Sequence, residues 1–131
     1  MGIALLVCLD ASGNEPGANG WTNISTAPDG SSYSYRADRV EYNSYSKSAT
    51  VWYRYWSRNS AELTFANGKK IKYRYMVGRI QLPCNHSAMT TEQMNYYDDS
   101  DKSVYLQTSV QSMIPEPDSV LDVLTNTVCP K

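Results

Sequence analysis

From residue 21 onward, apolar and polar positions mostly alternate with a period of two, the pattern of strands with one buried face. Residues 21–26 predict a first strand, closed by the turn Ala27-Pro28-Asp29-Gly30, and residues 32–35 predict a second. The densest segment is 50–56. There Val51, Tyr53 and Tyr55 share one face, and Trp52 and Trp56 share the other with Arg54. Aromatic rings on both faces predict a central strand that is either covered on both sides or leaves one face for a partner.

The next run holds two registers. Ile71, Tyr73, Tyr75 and Val77 are apolar at odd positions, with Lys70, Lys72 and Arg74 between them, whereas Ile80, Leu82 and Cys84 are apolar at even positions. A one-residue slip turns every side chain over. A continuous strand therefore needs a bulge or break, expected at Met76-Val77-Gly78, where glycine suits it. Asn67-Gly68 marks a hairpin. A two-residue loop would set Leu63 against Lys72. A three-residue loop, Ala66-Asn67-Gly68 with Gly68 left-handed, sets Leu63 against Ile71 and Glu62 against Lys72, and is the arrangement expected. Residues 92–97 and 104–110 read as a further hairpin around the acidic turn 98–101.

The end of the chain changes period. Pro117 precedes Asp118, a good N-cap, and Val120, Leu121, Leu124 and Val128 fall on one helical face. Cys129 closes this helix and Cys84 closes the strand run. A cysteine at the end of each element reads as a staple between them, and so as an oxidising compartment. The prediction is an α+β domain: an antiparallel sheet of about six strands, packed by a short C-terminal helix and stapled by a Cys84–Cys129 disulfide.

The start of the chain reads differently. Residues 3–9 form an apolar run too short to span a bilayer. They are similar to the hydrophobic part of a secretory signal, although no Lys or Arg precedes them. The expectation is a truncated leader and linker over 1–20, ahead of a single domain over 21–131. The competing reading is a first strand of the mature fold. Cys8 would suit lipoprotein acylation, except that Val7 stands where such sites need a small residue.

Composition adds 11 Tyr and 3 Trp against one Phe, which suits sheets with a wet face and also binding surfaces. The net charge of −1 conceals an asymmetry. Residues 36–79 carry ten of the twelve cations and only three of the thirteen acids, for +7, and the remainder carries −8. Either acidic flanks neutralise basic strands within the fold, or a basic face is offered to an acidic partner. A pI near 5.7 argues against nucleic acid.

Catalytic chemistry finds little support. Cys84 and the sole histidine, His86, would be half a metal site without the other two ligands. Asp98, Asp99 and Asp101 lack the glycine and glutamate of a calcium loop. No phosphate-binding glycine loop is present. The chain is therefore read as a non-enzyme with no cofactor and no metal. The candidate surface is the basic row: Lys70, Lys72 and Arg74 at alternate positions, roughly 7 Å apart on one strand face, with Lys69 and Arg79 nearby. Such a row can meet carboxylates or sulfates; its competing reading is a solvated outer face.

The ordered landmarks resemble the bacterial surface-adhesin protein E family. They are Trp21, Asp29-Gly30, Tyr33 leading to Val40, the Val51-Trp52 strand and a tyrosine-bearing strand ending at Cys84. Tyr96-Tyr97 before an acidic turn and Ile114-Pro115-Glu116-Pro117-Asp118-Ser119 running into Val128-Cys129 complete them. Arg36 and Asp101-Lys102 depart from the family pattern. The resemblance implies an antiparallel sheet packed by a C-terminal helix, bridged cysteines, a leader, and adhesion to host matrix and serum proteins, with a homodimer as a further partner state. The function expected is that of an exported cell-envelope binding protein, adhesin-like, engaging a protein or acidic macromolecule. Its expected place is the periplasm, outer membrane or cell surface, with a membrane reached only through a leader or anchor. The alternatives are a periplasmic inhibitor of a hydrolase such as lysozyme, presenting Asp98 to Asp101 to a basic enzyme, and a structural envelope protein that self-associates.

Overall fold

The computed structural model describes residues 20–130; the expected leader lies outside them except for Gly20. Among the described residues, eight strands form one antiparallel sheet: β1 Thr22–Thr26, β2 Ser32–Tyr35, β3 Glu41–Asn43, β4 Ser48–Thr64, β5 Lys70–Pro83, β6 Met89–Tyr97, β7 Ser103–Gln107 and β8 Gln111–Met113. The spatial order is β1-β2-β4-β5-β6-β7. The two strands beyond the expected six are three-residue pieces. β3 lies along β4 below β2, and β8 lies along β6 below β7. Each outer edge of the long central strands is thus covered by two short strands laid end to end. β3 and β8 are too short to show an alternation, which is why the sequence conceals them.

One face of the sheet carries the core: Ala49, Val51 and Tyr53 from β4, Met76, Ile80 and Leu82 from β5, and Met89 and Tyr96 from β6. Helix α1, Val120–Val128, closes over it. Leu124 is fully buried there, and Val120, Leu121 and Val128 pack around it on the expected helical face. The N-cap is Ser119 rather than Asp118. The Ser119 hydroxyl accepts the Asp122 N–H at 3.3 Å, and Asp118 takes a left-handed backbone (φ 64°) one residue outside. Asp122 replies by accepting the Asp118 N–H at 2.8 Å, so the cap is a reciprocal pair shifted one residue down the chain. Cys84 and Cys129 are bonded, with Cα atoms 5.8 Å apart.

The hairpin has the expected register. Leu63 faces Ile71, Glu62 faces Lys72, and Gly68 is left-handed at φ 86°. The phase inversion of β5 is real but lies earlier than expected. Tyr73 packs against the core, with Ile71 opposite the core-packed Leu63, Tyr75 and Val77 turn to the opposite face, and Met76 returns to the core. The cause sits in the partner strand. Tyr73 pairs with Ala61 and Tyr75 with Trp56, so β4 loops out residues 57–60 opposite the single residue Arg74. Gly78 remains in the ladder between Tyr53 and Met94. A second irregularity leaves Glu92 of β6 unpaired between Thr91 and Gln93.

Candidate functional site

The five residues of the basic row divide into two groups. Lys69, Lys70 and Lys72 are exposed on the β4–β5 hairpin. Lys70 approaches Glu62 at 3.7 Å, with both side chains largely exposed. Lys69 and Lys72 have no carboxylate within ion-pair distance among the described residues. The hairpin is anchored from its apolar side: Phe65 meets Tyr105 edge-on at 5.0 Å, and Tyr73 meets Tyr96 edge-on at 4.9 Å. The lysines therefore sit on a braced platform.

Arg74 and Arg79 are engaged within the fold. Arg74 donates to Asp99 and to the Ser57 and Arg58 carbonyls, and its guanidinium lies 5.9 Å from the Trp56 ring centroid. It thus satisfies the backbone of the β4 loop-out. Arg79 pairs with Glu92, which the β6 irregularity leaves available, and approaches Glu41 at 3.9 Å. Acidic flanks neutralise these two cations, and within the row the unneutralised charge stays on the hairpin lysines.

Away from the helix, the sheet carries a column of rings and guanidinium groups that the sequence reading did not assemble. Arg36 and Arg54 lie 5.7 and 5.8 Å from the Trp21 ring centroid, Arg54 lies 4.7 Å from that of Tyr75, and Tyr75 stacks on Tyr97 at 4.8 Å. Arg54 is only 5% exposed. Alternation of Trp52, Arg54 and Trp56 was the available signal, but the other members come from four separate segments. Burial first, and then donation to Asp101 at 2.8 Å, push the Tyr75 hydroxyl up to about 12.

The acidic turn is also committed. Asp98 accepts the Ser100 and Lys102 N–H groups, Asp99 binds Arg74, and Asp101 accepts from Tyr75. The Arg74 guanidinium holds Asp99 below the ordinary carboxylate range. A turn employed in this way has little left to offer a basic enzyme. His86 is not simply solvated: its Nδ1 lies 2.9 Å from Asp122 Oδ1. Among the described residues, no group of three His, Cys, Asp or Glu side chains could hold a metal ion.

Comparison with known proteins agrees with this architecture. The family model for surface-adhesin protein E matches residues 21–130. A solved structure of Haemophilus influenzae protein E superposes with a TM-score of 0.58 at 11% identity, covering 85% of this chain and 84% of that one. Crystal form II of the same protein gives 0.59 at 12% identity, covering 85% and 87%. At such identity the likeness is one of fold. No curated protein matches the chain.

Proposed function

Because the chain belongs to the surface-adhesin protein E family, we propose that it is an exported envelope protein, a binding module rather than an enzyme, that adheres to host extracellular-matrix or similar macromolecules. The observation that carries this reading is the braced hairpin with its unneutralised lysines, Lys69 and Lys72, beside Lys70. A partner rich in carboxylate or sulfate suits it, because exposed ammonium groups on a rigid platform exchange water for anionic oxygens. Arg74 and Arg79 act here by holding the sheet that carries the lysines.

The Cys84–Cys129 bridge supports an oxidising location, in the periplasm or at the cell surface. Among the described residues no helix is long and apolar enough to cross a membrane. A second copy of the chain is a further partner that fits the exposed apolar residues Val110, Met113 and Ile114.

The test is surface-plasmon resonance of the oxidised protein over a panel of immobilised matrix and serum glycoproteins. Binding to at least one is expected, weakening as salt rises, and falling at least tenfold on replacement of Lys69, Lys70 and Lys72 by Glu. Binding that survives this triple replacement removes the hairpin from the site. Silence across the panel removes the adhesin reading.

A further inference from the structure

At the other end of the long strands a cavity of about 560 Å³ opens, walled by Ser46, Lys47 and Ser48 from the β3–β4 side and by Gln81, Pro83, Cys84, Asn85 and Ser87 from the end of β5 and the loop after it. We propose that it binds a carboxylate-bearing sugar. Lys72 and Pro83 stand near opposite ends of β5, roughly 35 Å apart at strand rise, so the site is independent of the hairpin lysines.

The lining chooses the ligand. The lining is mixed: Pro83 and the bridged Cys84 add apolar surface, and hydroxyl, amide and ammonium groups are set among it, as a sugar with C–H faces and hydroxyls requires. Among the described residues, the Gln81 carboxamide has no hydrogen-bond partner and the Lys47 ammonium has no ion pair. Asn85 spends its side-chain oxygen on the Ser87 N–H at 3.0 Å, which leaves its NH₂ to donate. The Ser46 and Ser48 hydroxyls lie 2.8 Å apart, so one donates to the other and the second hydrogen points elsewhere. Several neutral donors and acceptors around one cation, with no carboxylate in the wall, match a polyhydroxylated ligand carrying a single negative charge. A phosphate-rich ligand would need more cations.

The geometry of the wall is held firmly. Asn43 Oδ1 accepts the Tyr45 and Ser46 N–H groups at 2.9 and 3.1 Å, and the Cys84 N–H donates to the Lys47 carbonyl at 3.0 Å. Lys47 itself is left-handed at φ 53°, a conformation that a lysine adopts only at a cost. Directly before Ser46, Tyr45 is 98% exposed on this clamped loop.

Saturation-transfer NMR tests the site on the oxidised protein. The probes are glucuronic, galacturonic and N-acetylneuraminic acids, with glucose, galactose and the N-acetylneuraminate methyl ester as uncharged counterparts. Transfer from at least one acid is expected with Kd of about 1 mM or tighter, and at least tenfold weaker binding of its counterpart. Lys47→Asn, which tolerates left-handed backbone, should abolish the preference for the acid, and Gln81→Ala should weaken acid and counterpart alike. Unchanged melting of both variants shows that the fold persists. No transfer from any acid at about 10 mM, equal binding of an acid and its counterpart, or wild-type preference in Lys47→Asn would overturn the proposal.

Discussion

His86 Nδ1 lies 2.9 Å from Asp122 Oδ1, and two residues earlier in the same loop Cys84 is bonded to Cys129. The loop after β5 therefore grips α1 near its first turn and just past its last residue. A nine-residue helix would be marginal alone; here it is held at both ends over a buried leucine. The Asp118 N–H, and the His86 ring with it, hold the Asp122 carboxyl below the ordinary carboxylate range against the effect of burial.

Three variants separate the contributions to this clamp. Cys84→Ala with Cys129→Ala should lower stability by about 4 kcal/mol in the chain-entropy picture for a loop of this length. Leu124→Ala should cost about 3 kcal/mol by opening a cavity under the helix, while Val123→Ala, on its outer side, should be close to neutral. Chemical denaturation reads all three. A Leu124→Ala protein as stable as the parent would mean that the helix is not seated on the core.

The two glycines of the long hairpin should respond differently to alanine. At Gly68 a β-carbon meets nothing within 4 Å, so Gly68→Ala should cost only the left-handed backbone penalty, about 1 kcal/mol. At Gly78 the added carbon would lie 3.3 Å from the Gln93 carbonyl oxygen and 3.4 Å from Met76 Sδ, within the ladder. Gly78→Ala should cost about 1–3 kcal/mol by overpacking. A Gly78→Ala protein as stable as the parent would contradict the close approach at Gly78.

Arg74 and Lys72 make a second contrast. Arg74→Ala leaves the Ser57 and Arg58 carbonyls and Asp99 without their donor, and should lower stability by about 2 kcal/mol. Lys72→Ala should leave stability unchanged, because the side chain is exposed and without an ion pair among the described residues. Thermal melting decides between a bracing and a purely surface role for Arg74.

Alkaline pH should unfold the protein in a particular window. Burial raises the Tyr33, Tyr53, Tyr73 and Tyr96 hydroxyls above the ordinary tyrosine value, and burial with the Asp101 bond takes Tyr75 to about 12. A raised pKa in the fold means that stability is intact below pH 10, the unfolded value, and is lost as pH climbs from 10 toward 12. Tyrosinate absorbance followed with far-UV circular dichroism tests this. Complete ionisation near pH 10 with the fold intact would contradict the burial.

Much of the architecture was legible in the residues themselves because its determinants are local. Glycine at 68 suits the left-handed end of a three-residue loop, and the apolar positions on either side set Leu63 against Ile71. Val120, Leu121, Leu124 and Val128 mark the buried side of the helix, and the cysteines that close β5 and α1 are bridged. Tertiary structure decided what depends on a distant partner. The turn-over of β5 was visible as a change of phase, yet its place was set by residues 57–60 of β4, which no inspection of β5 reveals. The N-cap, by contrast, is a local matter: Ser119 takes it in place of Asp118, with Asp122 accepting the Asp118 N–H from four residues on. The fate of the cations was non-local: Arg74 and Arg79 look like Lys72 in the sequence, but only the folded sheet brings Asp99 and Glu92 to them and leaves the hairpin lysines charged. Periodicity is a property of neighbouring residues, whereas neutralisation and strand phase are properties of residues brought together by folding.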